Sequence, residues 1–264
     1  MKLDKITAIV RKEMMLNLRF KSTFFGRAFL DPLRFLLLFI IVYSSFFSIG
    51  TNSMAGVAAK KFLPFLIIGG IAHSLYIAGL GFDVKFKIEK YWETLPGILI
   101  APVSPIILII GTGIAELLRE IPFLFIYIVV GYCLAPIKFF DIFFISMIFL
   151  LLYIGILGLG LIKGVFEISK EGLGLILDYV FAAIGLLSCF YYHISVLPTI
   201  IKPLVLINPI YHAVSLIRAI WMNEFSLPSA LPYLISIILF AIIMPIIGCA
   251  VFKAILKKFS IQGY

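Results

Sequence analysis

Charge is scarce in this 264-residue sequence: Asp, Glu, Lys and Arg together make up 13% of it, whereas soluble domains contain about 25%. Acidic residues are the rarer kind, with 13 Asp and Glu against 22 Lys and Arg. Apolar residues make up 63%, and the mean hydropathy is +1.18. This composition excludes a soluble globular protein and leaves no stretch for a separate soluble catalytic domain. It predicts an integral membrane protein.

Motifs of common enzyme classes are also missing. The sequence has no GxxxxGKS/T phosphate loop, so the chain cannot hydrolyse ATP by that route, and it has neither HExxH nor GxSxG. Its three cysteines show no metal-binding spacing. Its three histidines lie on separate segments, where packing or hydrogen bonding is the alternative to catalysis. We therefore predict no catalytic residues, no metal site and no cofactor bound by this chain, and no enzyme activity of its own.

Six apolar runs approach or exceed the roughly 20 residues that one crossing of a bilayer needs. They predict an all-α, polytopic membrane protein with six transmembrane helices. The runs are Leu33–Ile49, Phe62–Phe82, Val103–Leu134, Phe139–Ile162, Leu173–Leu197 and Leu231–Phe252.

The N-terminal residues 1–32 are too charged to span and show no cleavage site of a signal peptide. Their periodicity predicts an amphipathic helix in the interface of the membrane, although Glu13 and Asn17 interrupt its apolar face. The alternative is a solvated basic arm with affinity for anionic lipids. The apolar face holds Leu3, Ile6, Val10, Met14 and Leu18.

Residues 198–228, before the last span, are apolar but repeatedly broken by proline. Pro209 cannot donate a backbone hydrogen bond, and it biases Asn208 away from the helical region. We predict a re-entrant pair of short helices on the outer side, turning at Asn208-Pro209. A tilted seventh span is the alternative.

Basic residues are distributed unevenly between the two sides of the predicted six-span topology. With both termini in the cytoplasm, 16 of the 22 Lys and Arg are cytoplasmic, eight of them in the first 34 residues. The positive-inside rule therefore predicts cytoplasmic termini and a multi-pass protein of the plasma membrane. Because topology accounts for most of the net charge of +9, nucleic acid is not predicted as a partner.

One charge cluster falls inside a predicted span. Glu116, Arg119 and Glu120 lie three and four residues apart, on one face of a helix. Each charge would cost about 2.5 to 3.5 kcal/mol in lipid, so the cluster is expected to pair or to face the protein interior. It is a salt-bridge relay, a substrate contact or a link between the spans and the cytoplasmic loop. Asp178 is a possible further partner.

Residues 83–104 form the longest predicted cytoplasmic loop. Tyr91, Trp92 and Leu95 alternate there with charged residues, before Pro96-Gly97. This pattern favours a short helix across the cytoplasmic surface. It is either an aromatic anchor at the interface or a docking element for a cytosolic partner.

Two sets of residues resemble one family, the permeases of type-2 ATP-binding cassette (ABC) exporters. Glu93-Thr94-Leu95, with Pro102-Val103-Ser104 soon after, is similar to the cytoplasmic loop that couples these permeases to their ATPase. Asn208-Pro209-Ile210-Tyr211-His212, followed by Arg218, resembles the segment before their last span, although no fixed residue is expected at His212. The order of these features covers the whole chain as one permease domain, residues 1–264.

The resemblance implies transport without an ATPase site in this chain. Two cytosolic ATPase subunits would carry ATP and Mg²⁺, and a second permease copy would complete the pathway, as a homodimer or with a related permease. Residues Tyr91, Trp92, Glu93, Thr94 and Leu95 would contact the ATPase. Substrates of the family include drugs, lipids and polysaccharides.

Two other functional classes compete with this interpretation. Broken helices and intramembrane carboxylates also occur in secondary transporters, but the two halves of this sequence show no internal repeat. A membrane-embedded enzyme acting on lipids is the second alternative, and the sequence offers no convergent catalytic pair for it. Dependence on a separate ATPase would distinguish the permease from both.

Overall fold

The computed structural model describes residues 2–47, 53–54, 57–81, 85, 91–93, 104–169 and 173–262, and it confirms the all-α prediction. A two-stranded antiparallel ladder, β1 (Ser53–Met54) and β2 (Val57–Ala58), is the only strand pairing among these residues. The helices are α1 (Lys2–Arg19), α2 (Lys21–Phe25), α3 (Asp31–Phe47), α4 (Ala59–Leu80), α5 (Pro105–Leu134), α6 (Phe139–Ser169), α7 (Leu173–Leu186), α8 (Lys202–Ile207), α9 (Pro209–Trp221) and α10 (Leu227–Gln262).

Five stretches of the described chain are long and apolar enough to cross a membrane, which supports the predicted membrane environment. They are Lys21–Phe47, Ala59–Leu80, Ile107–Leu134, Phe139–Glu167 and Ala230–Ile255. The sixth predicted span contains α7, whose 14 residues measure about 21 Å along the axis, short of a hydrocarbon core of about 30 Å. The six-span topology therefore stays a prediction.

Several helices have bounds that differ from those of the predicted spans. The helix in the fifth predicted span ends at Leu186 rather than at Leu197, because the chain turns at residues 187–192 and Cys189 adopts a left-handed φ of 53°. The helix in the fourth continues to Ser169, past the predicted end at Ile162 and through Lys163. The fold tolerates this buried cation because Asp178 on α7 pairs with it, Nζ to Oδ1, at 2.7 Å.

A π-helical turn, Gly26–Leu30, joins α2 to α3, so one helical stretch begins at Lys21, ahead of the predicted start at Leu33. The backbone N–H of Asp31 donates to the carbonyl of Gly26, five residues back. The next residue, Pro32, has no N–H to offer to this part of the helix. The turn therefore takes up a local break in the usual ladder of helical hydrogen bonds.

Helix α6 is the central element, and its glycines determine how closely other helices approach. A Cβ atom on Gly155 would lie 2.2 Å from the ring of Phe240 on α10, and one on Gly160 would lie 2.1 Å from the carbonyl oxygen of Gly79 on α4. Small residues at these positions let helix backbones pack directly against each other, as is usual in membrane proteins. Helices α4, α6 and α10 thus form one tightly packed unit.

Helices α4 and α5 run antiparallel and set the level of the charge cluster. Ser74 on α4 contacts Glu120 on α5, and Gly70 packs against Tyr127. The end of α4 therefore lies level with Glu116, and the first ten residues of α5 extend beyond it. Helix α1 packs along that extension, with Ile9 against Gly111. We call this end of the bundle the Lys85 end and the opposite one, where Lys61 pairs with Glu224, the Glu224 end.

Adding one methyl group to Gly158 should destabilise the protein. A Cβ there would lie 2.3 Å from the carbonyl carbon of Met244 and 2.4 Å from the nitrogen of Pro245, both backbone atoms that have little room to move. We expect Gly158→Ala to reduce the free energy of unfolding by about 1 to 3 kcal/mol, measured by thermal unfolding in detergent. Gly26→Ala is the control, since nothing lies within 4 Å of its Cβ position. Equal unfolding temperatures for the two variants would contradict this packing.

Candidate functional site

The three predicted intramembrane charges belong to a longer chain of ion pairs. On α5, Arg119 Nη1 contacts Glu116 Oε2 at 2.6 Å, and its Nη2 contacts Glu120 Oε1 at 3.1 Å. Lys85 Nζ lies 2.7 Å from Glu116 Oε1 and 2.5 Å from Glu13 Oε2 on α1. Ser74 on α4 donates to Glu120 at 2.8 Å and closes the other end of the chain. Four separate parts of the sequence are thus joined by this chain of ion pairs.

Because the charged groups of this ion-pair chain are largely buried, each depends on its neighbours for charge compensation. Glu116 is 3% exposed and Glu13 is 8% exposed, while the side chains of Lys85 and Arg119 are each 18% exposed. Each cation lies between two carboxylates, so removing either cation leaves a carboxylate with too little compensation. Breaking a buried pair by removing one partner typically costs about 3 to 5 kcal/mol. The ion-pair chain therefore holds α1, α4, α5 and the segment at Lys85 in one arrangement.

A cavity of about 970 Å³ lies beside the ion-pair chain. Such a volume suits a molecule of drug or lipid-fragment size. Glu13, Lys85, Glu116, Arg119 and Glu120 line its polar part, and Arg19 and Arg27 also border it. Its apolar part reaches Gly70 and His73 in the middle of α4.

Aromatic rings form the inner wall of the cavity. Phe123 and Tyr127 on α5 stack with their centroids 4.5 Å apart and 15° between their planes. Tyr191, from the turn after α7, lies 5.6 Å from Phe39 and shares a 2.9 Å hydrogen bond with His73 Nδ1. The site thus combines a charged region toward the Lys85 end with an aromatic region deeper in the bundle.

The predicted ATPase-coupling residues are only partly described. Tyr91 and Trp92 are 85% and 56% exposed, and both border the cavity. Glu93 follows them in a turn with a left-handed φ of 58°, uncommon for a residue other than glycine. Thr94 and Leu95 lie outside the described residues. Tyr91 and Trp92 thus border the same cavity as Glu116, Arg119 and Glu120.

The four predicted residues of the re-entrant turn lie elsewhere, and none borders the cavity within the described part of the chain. Asn208 lies between α8 and α9 and caps both, with its Oδ1 accepting from the N–H of Ile210 at 3.0 Å. Pro209 is the first residue of α9. The Nδ2 of Asn208 donates to Ser188 at 3.0 Å, which ties this break to the end of α7. His212 Nε2 lies 2.8 Å from the carbonyl of Leu206.

Arg218 satisfies backbone carbonyls where helix α7 has ended. Its guanidinium donates to the carbonyls of Cys189 at 2.9 Å, Phe65 at 3.2 Å and Phe190, and it lies 3.4 Å from the centroid of the Phe65 ring. A Cβ on Gly69 would lie 1.6 Å from the oxygen of Phe190, so this turn fits against α4 only at a glycine. The contacts of Arg218 are therefore structural.

Sequence reasoning missed two members of the ion-pair chain and misassigned a third residue. Glu13 had a signal, since it interrupts the apolar face of α1, and the structure shows it turned toward Lys85. No sequence pattern indicated that Lys85 would pair with Glu116, because it was only one of several basic residues in a predicted loop. Asp178, proposed as a partner of the Glu116 cluster, pairs with Lys163 instead.

Comparison with protein-family models finds none that matches this chain, and comparison with curated proteins finds no match.

Neutralising Arg119 should destabilise the protein far more than breaking the exposed pair at the opposite end. Arg119→Met leaves Glu116 and Glu120 short of a cation, and we expect a loss of about 3 to 5 kcal/mol in the free energy of unfolding. Lys61→Met is the matched control, because Lys61 and its partner Glu224 are both about half exposed and such pairs contribute about 0 to 1 kcal/mol.

A second substitution tests whether the loss arises from the unpaired charge. Glu116→Gln in the Arg119→Met background removes one uncompensated carboxylate and should recover part of the stability. Unfolding measured in detergent for the single and double variants gives the coupling energy. A loss in Arg119→Met no larger than in Lys61→Met would show that the ion pairs are dispensable.

Proposed function

We propose that this chain is the membrane-spanning permease subunit of an ABC exporter. It forms the translocation pathway for a drug, lipid or polysaccharide-type substrate, and separate cytosolic ATPase subunits supply the energy. The order of sequence features that resembles type-2 ABC exporters motivates the proposal. The ion-pair chain through Lys85, beside a cavity of about 970 Å³, is the single observation that carries it.

The ion-pair chain connects the loop proposed to bind the cytosolic ATPase to the helices that border the cavity. Lys85 lies in the same loop as Trp92 and Glu93, and it contacts Glu13 on α1 and Glu116 on α5. A force on the loop therefore reaches two helices that border the cavity, since both carboxylates depend on the same ammonium group. Exposed Tyr91 and Trp92 are available to a partner, as aromatic residues at binding hot spots must be.

The proposed topology has both termini in the cytoplasm and six crossings of the plasma membrane. Helices α8 and α9 are the re-entrant pair on the outer side, turning at Asn208-Pro209. At this break Asn208 Oδ1 accepts from the backbone N–H of Ile210, and His212 Nε2 lies 2.8 Å from the carbonyl of Leu206. Side chains thus supply partners for backbone groups there, as irregular backbone at membrane depth requires. A second copy of the chain, or a related permease, completes the transporter.

A secondary transporter is the second candidate, and the burial of Glu116 beside the cavity favours it. Carboxylates in such positions carry protons in many ion-coupled transporters. The two candidates differ in energy source. Transport that persists without an ATPase and stops with a protonophore would support the second and contradict the first.

Substituting the exposed loop residues should weaken binding of the ATPase. We expect Trp92→Ala combined with Glu93→Ala to lower co-purification with a co-expressed ABC ATPase subunit by at least about tenfold, because removing a hot-spot residue costs about 2 kcal/mol or more. Lys138→Ala with Phe139→Ala is the matched control, an exposed cation and aromatic ring outside this loop. Membrane insertion of all variants is checked by detergent extraction and gel filtration.

Normal assembly of the Trp92 and Glu93 double variant, with full stimulation of ATP hydrolysis, would refute the assignment of this loop. Equal losses in the control variant would show a general defect rather than a lost contact.

The topology predicts opposite accessibility at two positions. A cysteine replacing Glu224, in a background where Cys133, Cys189 and Cys249 are serine, should react with a membrane-impermeant maleimide added outside intact cells. A cysteine replacing Lys258 should react only after the cells are opened. Labelling of position 258 from outside would place the C-terminus outside and overturn the six-span topology.

A further inference from the structure

Two arginines that border the cavity have no carboxylate partner. Arg19, at the end of α1, and Arg27, in the π-helical turn, are both exposed and both line the cavity. Neither forms an ion pair within the part of the chain that the structure describes, where the Arg19 guanidinium lies 5.8 Å from the centroid of the Phe20 ring. The two segments adjoin, since Asn17 and Arg27 also border a second cavity of about 160 Å³. Positive charge is therefore uncompensated at one part of the lining.

Every carboxylate of the described lining, in contrast, already has a cationic partner. Three of them belong to the ion-pair chain, and the fourth, Asp31, lies 3.3 Å from Arg34, Oδ1 to Nη2. An organic cation could pair with one of these carboxylates only by displacing the cation already bound to it. An anion can pair with Arg19 and Arg27 without breaking any ion pair. The charges at the cavity therefore favour an anionic molecule.

Much of the remaining lining is apolar or aromatic. The cavity follows one face of α4, where lining residues recur at three- and four-residue spacing over about 15 Å from Gly70 to Leu80. A molecule along this face would lie mainly against hydrocarbon and aromatic rings. The apolar side chains that border the cavity include Leu16, Phe20, Phe35, Ile77, Leu80 and Phe123.

We propose that the cavity takes amphipathic anions, molecules with one acid group that pairs with Arg19 and Arg27 and an apolar portion that lies along α4 and the aromatic inner wall. This inference rests on the proposed function, because it treats the cavity as part of the transport pathway and names the class of substrate. Guanidinium groups suit such an acid group, since their N–H donors match the paired oxygen atoms of carboxylates and phosphates.

The test compares naphthalene-2-sulfonate with naphthalene-2-sulfonamide, which share their rings and differ by one charge. Equilibrium dialysis against the full-length protein in phosphatidylcholine nanodiscs, with empty nanodiscs subtracted, measures binding without any ATPase. We expect the sulfonate to bind roughly 2-fold to 30-fold more tightly, because two ion pairs form and each involves an exposed arginine. This preference should decrease as the ionic strength rises, since salt screens exposed charges.

Arg19→Gln combined with Arg27→Gln should abolish the preference and leave binding of the sulfonamide nearly unchanged. Arg11→Gln combined with Lys21→Gln is the matched control, because it removes the same charge from two exposed side chains that are not among the described residues bordering the cavity. Gel filtration checks that all variants remain folded. Methanesulfonate, which has the acid group without the rings, should not displace naphthalene-2-sulfonate at equal concentration.

A preference that is absent in the wild type, or that the control variant loses as fully as the Arg19 and Arg27 variant, overturns the inference. Displacement by methanesulfonate at equal concentration would show that the apolar portion is not recognised, and would overturn it too. Transport that needs no ATPase would contradict only the proposed function, because the binding measurement uses none.

An amphipathic anion could be a membrane lipid or a smaller molecule, and mass spectrometry of the protein purified in mild detergent distinguishes these sources. Anionic phospholipid that is retained by the wild type and the control variant, but not by the Arg19 and Arg27 variant, would identify a lipid. Equal amounts of phospholipid in all three, together with the sulfonate preference, would identify a smaller molecule.

Discussion

The structure depends on pairing the carboxylate of Glu116, which is buried inside a largely apolar bundle. An isolated carboxylate in such surroundings is costly, and Lys85 and Arg119 offset that cost from opposite sides. Because Lys85 and Glu13 come from other parts of the chain, this requirement draws α1 and the loop after α4 against α5. The position of α1, and the polar part of the cavity beside it, follow from one buried charge.

A second constraint is the end of helix α7, which lies in apolar surroundings level with the middle of α4. The carbonyls of Cys189 and Phe190 have no helical partner there, and both residues are buried, so each carbonyl needs a partner within the protein. Arg218 reaches both from α9 and also takes the carbonyl of Phe65 on α4. Three segments far apart in sequence are thus held by one guanidinium, whose fork of donors suits several acceptors at once.

Local patterns in the sequence predict the features that depend on local physics. Long apolar runs predict the membrane-spanning helices, the spacing of Glu116, Arg119 and Glu120 places them on one helical face, and Pro209 predicts a break at Asn208. Features that depend on distant partners are missed. The end of α7 at Leu186, the continuation of α6 through Lys163, and the pairing of Glu13 with Lys85 each require a residue from another segment, which periodicity does not reveal.

Two kinds of contact hold different parts of the bundle together. Helices α4, α6 and α10 meet through glycines, where sliding would bring the side chain of a neighbouring residue against the facing helix. At the Lys85 end, each cation lies between two carboxylates: Lys85 between Glu13 and Glu116, and Arg119 between Glu116 and Glu120. Moving α1 or the Lys85 loop away from α5 would separate Lys85 from one of its two carboxylates, and breaking a buried ion pair is costly. Relative motion of these elements is therefore coupled to the ion pairs that border the cavity, whereas the glycine contacts keep α4, α6 and α10 together.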